Sequence, residues 1–146
     1  MALSIKPYIE NKERIHLIGI GGVSMNSLAE LLLSKGVPVS GSDRLRTDVT
    51  ARLEALGASI TYEHRPENVE GASLIVRTAA VHDENPEIVR AHELGIPVME
   101  RAEAWGHIMR DYDNVVCLSG THGKTTSTSM MTMMTIEAQM DPTVMV

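Results

Sequence analysis

The chain has 146 residues, 43% of them hydrophobic, enough to bury the core of one domain with a fragment of a second. Its formal net charge of −6, without any cluster of lysine and arginine, excludes a nucleic-acid surface but leaves room for a small anionic ligand. One cysteine, Cys117, excludes an intrachain disulfide, and no apolar run approaches the ~18 residues of a membrane span.

The opening MALSIKPYIENKE has no signal-peptide profile, so a cytoplasmic location is expected. From Arg14, RIHLIGI is a short apolar run ending in glycines, the pattern of a buried strand. Val23 to Lys35 follows as a helix, with Leu28, Leu31 and Leu32 on one face and Gly36 as its stop. VPVSGSD predicts a second strand, and DVTARLEALG a second helix with Val49, Leu53 and Leu56 at helical spacing. SITY, LIVRT and IPVME predict strands three to five. Between the last two, NPEIVRAHELG is a helix with Asn85 as N-cap and Pro86 in the first turn, where its missing N–H costs nothing. AEAWGHIMR is again helical, and the polar DYDN then marks a domain boundary near Asp111. This alternation predicts an α/β fold, a Rossmann-like parallel sheet flanked by helices. NVVCLSG predicts a further strand opening a second unit, and the chain is helical from Thr125.

Two turns carry chemistry. In IGIGGVSMNSLAELL, Gly19, Gly21 and Gly22 let the backbone turn sharply, and the helix that follows offers free N–H groups and a positive dipole end to a phosphate. The dinucleotide fingerprint G-x-G-x-x-G is incomplete, because Ser24 stands where its third glycine belongs. Asp43, at the end of the second strand, is the acidic residue such a site places on a ribose. Bland readings stand beside both: a glycine turn that serves packing, and an aspartate that caps the turn after Gly41 and Ser42. Thr78, Ala79 and Ala80 supply a third wall after the fourth strand, or simply finish it.

The second turn is LSGTHGKTTS. A glycine loop between strand and helix suits phosphate: Gly120 and Gly123 allow backbone N–H groups to form an anion nest, Lys124 reaches the β- and γ-phosphates, and the Thr125 hydroxyl ligates magnesium. The general pattern G-x-x-x-x-G-K-[ST] would start at position 118, which is Leu118, so the spacing departs from it. A small free-standing phosphate-loop kinase is excluded, because the short stretch after Thr125 cannot supply a magnesium-binding strand and an acceptor site.

Taken together, GTHGKTT after an apolar strand, HLIGIGG near the N-terminus, GSD after the second strand and NPE followed by IPV resemble the Mur ligase family, over nearly the whole length from His16. The resemblance implies a UDP-sugar-binding domain over 1–110 and, over 111–146, the first strand, phosphate loop and helix of a truncated ATPase domain. It implies that Gly21, Gly22 and Val23 lie against the diphosphate, that Ser42, Asp43, Thr78 and Ala79 border the rest of the sugar nucleotide, and that Gly120, Thr121, His122, Gly123, Lys124, Thr125 and Thr126 hold ATP. Lys124 is then the catalytic residue and Thr125 the magnesium ligand. The implied reaction is attack of the L-alanine amine on an acyl phosphate made from UDP-N-acetylmuramate, with ATP and magnesium as cofactors. Gly21 favours the alanine-adding branch over the tripeptide-adding sibling, in which that glycine is typically cysteine. Ser24, Asn26 and Ser27 depart from the small residues frequent in the family's turn.

Other residues read blandly. His122 shapes its loop, His16, His64, His82, His92 and His107 lack metal-ligand spacing, Cys117 is a core residue of its strand, and Trp105 belongs to a packing stripe. SMMTMMTIEAQM is an apolar helix made to pack on a sheet that is largely missing here, so it packs on the first domain, pairs with another copy or stays poorly ordered. The closing DPTVMV reads as a cut made between a helix and a strand. No nucleic-acid or membrane partner is expected. Two functions remain: the sugar-nucleotide part of a peptidoglycan ligase, binding UDP-sugar and ATP weakly without ligating, or a stand-alone NAD-type dinucleotide-binding domain.

Overall fold

A computed structural model describes residues 3–144; Met1 and Ala2 of the opening run and the last two residues of DPTVMV lie outside the described residues. The chain forms two compact units, Met1–Asp111 and Tyr112–Val146. The first contains α1 (Lys6–Glu10), β1 (Ile15–Ile18), α2 (Val23–Ser34), β2 (Val39–Ser42), α3 (Asp48–Ala55), β3 (Ser59–Thr61), a 3-10 turn (Pro66–Val69), β4 (Leu74–Arg77), α4 (Pro86–Glu93), β5 (Val98–Glu100) and α5 (Arg101–Met109). The second contains α6 (Lys124–Glu137).

The five strands make one parallel sheet in the order β3-β2-β1-β4-β5. The chain moves outward from β1 on one side and then returns to its other side with β4, so the turn after β1 sits where the order reverses, the place at which open α/β sheets bind ligands. Ile18 is in register with Ser42, and Ser42 with Thr61, which brings the ends of β1, β2 and β3 to one edge.

Side chains alternate across the sheet and give each face its own core. Ile15, Leu17, Leu74 and Val76 belong to the larger cluster, with Met25, Leu28 and Leu32 from α2, Leu53 from α3, and Ala104 and Ile108 from α5. The smaller cluster holds Ile18 and Ile75 with Val69, Ile88 and Ala91 from the 3-10 turn and α4. The expected cap of α4 forms, since the Asn85 side chain accepts from Glu87 N–H at 2.9 Å. Trp105 packs against the larger cluster and donates its indole N–H to the Ser24 carbonyl at 3.3 Å. In α3 only Leu53 of the expected apolar stripe is buried, whereas Val49 and Leu56 are exposed.

Two expectations fail in the second unit. Residues 114–120 form no strand, and Cys117, expected as core, is exposed. A strand exists only through its ladder, and this segment pairs with no described strand, so neither its backbone groups nor its thiol has anything to be buried against. The sequence reading also left out α1 and the 3-10 turn, both too short for periodicity to reveal.

Candidate functional site

The turn after β1 is built from both sides. Gly19 N–H and Ile20 N–H donate to the Ser42 carbonyl at 2.8 and 3.1 Å, tying it to the end of β2. Gly21 N–H donates to Asp43 Oδ2 at 2.8 Å, while Asp43 Oδ1 accepts from the N–H groups of Arg44 and Leu45 at 2.7 and 3.2 Å. Both Asp43 oxygens are therefore engaged by backbone, as the capping reading of this residue expects. A β-carbon at position 21 would stand 2.8 Å from Asp43 Oδ2 and 3.0 Å from Thr50 Cγ2, so only glycine allows the carboxylate this close. Gly22 caps α2 without any side-chain acceptor, and Val23 is exposed beside it. The first N–H groups of α2 thus remain available, an arrangement that suits a diphosphate.

Past β4, Arg77 donates to the Val81 carbonyl at 3.2 Å and pairs with Asp83, holding the loop that contains half-buried Thr78 and exposed Ala79 and Ala80. Ser42 is fully buried, so this residue reaches the turn through its backbone only, and its hydroxyl is directed elsewhere.

That hydroxyl leads to a cluster the sequence reading missed. Glu87, fully buried in the first turn of α4, accepts from Ser42 Oγ at 2.7 Å, His64 Nδ1 at 2.8 Å, Asn68 Nδ2 at 2.7 Å and His16 Nε2 at 3.3 Å. His16 Nδ1 in turn meets Ser40 Oγ at 3.0 Å. Burial pushes the Glu87 carboxyl up, but the bonds from His16, Asn68, His64 and Ser42 outweigh it and hold the group below the ordinary glutamate range. A sequence signal existed. A histidine inside a strand buried on both faces must find a polar partner, and Ser40 and Ser42 share its side of the sheet at period two.

In the second unit Gly123 is the N-cap of α6 with φ of +75°, a left-handed conformation that glycine adopts without strain. Lys124 Nζ donates to the Gly120 carbonyl at 2.8 Å, closing the loop Gly120–Lys124 on itself. Thr121 and His122 complete the loop, and Thr125 and Thr126 stand exposed in the first turn of α6. The open helix terminus and the lysine beside it fit a polyphosphate. For magnesium this stretch offers the Thr125 hydroxyl, and no group of three or more His, Cys, Asp or Glu among the described residues is arranged to hold a metal.

The family pattern described as "Mur ligase family, catalytic domain" matches residues 14–113. The chain belongs to the Mur ligase family. Among curated proteins, the UDP-N-acetylmuramate-L-alanine ligase of Clostridium novyi is 48% identical over 94% of this chain and 30% of its own length. The protein of the same name from Alkaliphilus metalliredigens is 46% identical over 92% of this chain and 29% of its own. Among solved structures, the UDP-N-acetylmuramate-alanine ligase of Thermotoga maritima superposes with a TM-score of 0.81 at 35% identity, over 87% of this chain and 30% of that one. A murein peptide ligase from Psychrobacter arcticus gives the same TM-score at 27% identity, over 87% of this chain and 27% of its own. This Mur ligase chain therefore spans about 30% of the length of the curated relatives it matches.

Proposed function

We propose that the chain is part of an ATP-dependent, cytoplasmic ligase that joins L-alanine to UDP-N-acetylmuramate in peptidoglycan precursor synthesis. Its first unit, to about residue 110, takes the UDP part of the sugar nucleotide. The second unit is the beginning of the ATP-binding domain. The observation that supports this most directly is the Gly19–Val23 turn, held open by Asp43 at the reversal point of the sheet, in a chain 48% identical to a ligase of that name.

In this reading Gly21 and Gly22, whose own N–H groups are held by Asp43 Oδ2 and the Gly19 carbonyl, shape the turn that lies against the diphosphate, Val23 brings it a backbone N–H at the start of α2, and Asp43, Thr78 and Ala79 border the nucleoside. Gly120 to Thr126 hold ATP, Lys124 offsets charge on the transferred phosphoryl group, and Thr125 contributes a hydroxyl to magnesium. Magnesium, when bound, neutralises the phosphate oxygens during formation of an acyl phosphate.

Calorimetric titration with UDP-N-acetylmuramate, UDP, ATP and NAD tests the reading. Saturable binding of the first two, weaker binding of ATP and none of NAD is expected; binding of NAD without UDP-N-acetylmuramate would refute it.

The helix α6 buries none of its residues and exposes Met130, Met133, Met134 and Ile136. An apolar face of this kind associates. Light scattering after size exclusion is expected to give a mass above that of a monomer, and replacing Met130, Met133 and Met134 by serine to restore the monomer. A clean monomer of the unaltered chain would exclude self-association through this helix.

A further inference from the structure

Trp105 reaches from α5 to the start of α2. Its ring packs on the larger core cluster, which also holds Ala104 and Ile108 of its own helix and Met25, Leu28 and Leu32 of α2. From that seat the indole N–H donates to the Ser24 carbonyl at 3.3 Å, joining residues 81 positions apart in the chain. Ser24 lies in the first turn of α2, so its carbonyl already has a place in the helical ladder, accepting from the residue four positions on. A carbonyl oxygen has two lone pairs, and the indole takes the second. The bond is therefore not needed to satisfy the helix. It ties that one turn to α5.

The same turn carries the unused donors of the glycine site. Gly22 N–H is taken by the Gly19 carbonyl at 3.0 Å, and the N–H groups of Met25 and Asn26 by the Gly22 carbonyl at 2.9 and 2.8 Å. Among the described residues none accepts from Val23 N–H or Ser24 N–H. These two are what the start of α2 offers a phosphate, and their aim follows the orientation of its first turn. The end of β2 grips the glycine turn as far as Gly21, through the Ser42 carbonyl and the Asp43 carboxylate. Beyond Gly21 the hydrogen bond that holds it from outside α2 comes from Trp105, on the residue that stands where a dinucleotide fingerprint has its third glycine for close helix packing.

We propose that Trp105 is a positioning residue for diphosphate binding: it holds the Ser24 peptide so that the free N–H groups of Val23 and Ser24 stay aimed at one phosphate. The proposal rests on the reading of the first unit as a UDP-binding domain. Trp105 touches no part of the ligand in this role. It acts through backbone, in the way a supporting residue locks a binding group whose own conformation would otherwise be free to drift.

Trp105→Phe keeps an aromatic ring on the core and removes the donor. The expected result is a melting temperature within a few degrees of the unaltered chain, with the Kd values for UDP and for pyrophosphate both raised roughly fivefold, the size of one hydrogen bond. A second readout needs no variant. Trp105 is the chain's single tryptophan, so its indole N–H gives one resonance. Titrating the unaltered chain with pyrophosphate is expected to move that resonance together with the amide resonances of Val23 and Ser24, which a ring that only fills the core would not do. An indole resonance that stays still while those amides move overturns the proposal, as does equal affinity of Trp105→Phe and the unaltered chain; in both cases the UDP-binding reading stands. If the unaltered chain binds neither UDP nor pyrophosphate, that reading fails and the role of Trp105 with it.

Discussion

Glu87→Ala is expected to destabilise the first unit by about 3–5 kcal/mol, the usual consequence of removing one partner from a buried charged cluster. Four donors, from His16, Ser42, His64 and Asn68, lose a shared acceptor inside a site that admits no water to the carboxylate. Glu87→Gln keeps the volume but turns an amide toward donors. Its cost is about 1–3 kcal/mol, the penalty of leaving a buried polar group badly paired. The two variants also differ in how stability responds to pH. Because the folded carboxyl is held below its ordinary value, its contribution is complete above the unfolded value of about 4.3 and is lost as pH falls through the lower, folded value. Denaturant melts at pH 7 and pH 3.5 should therefore show the unaltered chain losing stability that Glu87→Gln never had, so the gap between them narrows in acid. A gap that stays constant over that range would mean the carboxylate is not held ionised by its neighbours.

The second large effect is expected at Gly21, and it should fall on binding as well as on folding. Gly21→Val places a β-carbon where Asp43 Oδ2 now stands, 2.8 Å away, with Thr50 Cγ2 at 3.0 Å behind it. Asp43 cannot retreat freely, because its other oxygen is fixed by the N–H groups of Arg44 and Leu45. The turn must open instead, at a cost of about 1–3 kcal/mol typical of overpacking. The N–H groups at the start of α2 then lose their aim, and UDP affinity is expected to fall by about 30-fold or more, on the order of 2 kcal/mol in binding. Calorimetry with UDP, beside a melt confirming that the variant is folded, reads the two effects separately. Undiminished affinity would remove this turn from the binding site.

Much of the fold was legible because its signals are local. The runs RIHLIGI and LIVRT, the stop at Gly36 and the Asn85-Pro86 start each settle one element through backbone preference and periodicity, and all of them formed. NVVCLSG misled for the complementary reason: its apolar residues describe a strand, but a strand is a relation between two segments, and its partners are not among the described residues. The site divided in the same way. The glycine turn and the Gly123–Lys124 loop were visible as motifs, because a turn's conformation is written in its own residues. His16 and His64 looked featureless, since they lie far apart along the chain and neither has a partner at a recognisable spacing.

By itself, then, the sequence determined the alternation of β1 to β5 with α2 to α5, the two glycine turns and the family to which they belong. Only the tertiary structure decided that Asp43 is spent on holding Gly21, that Ser42 turns inward, and that Glu87 gathers His16, His64 and Asn68 around it. The physical reason is distance along the chain. Periodicity and turn chemistry act over a few residues, whereas a buried carboxylate must be satisfied by whatever the packed sheet brings within about 3 Å, and that choice exists only once β1, β2 and α4 have met.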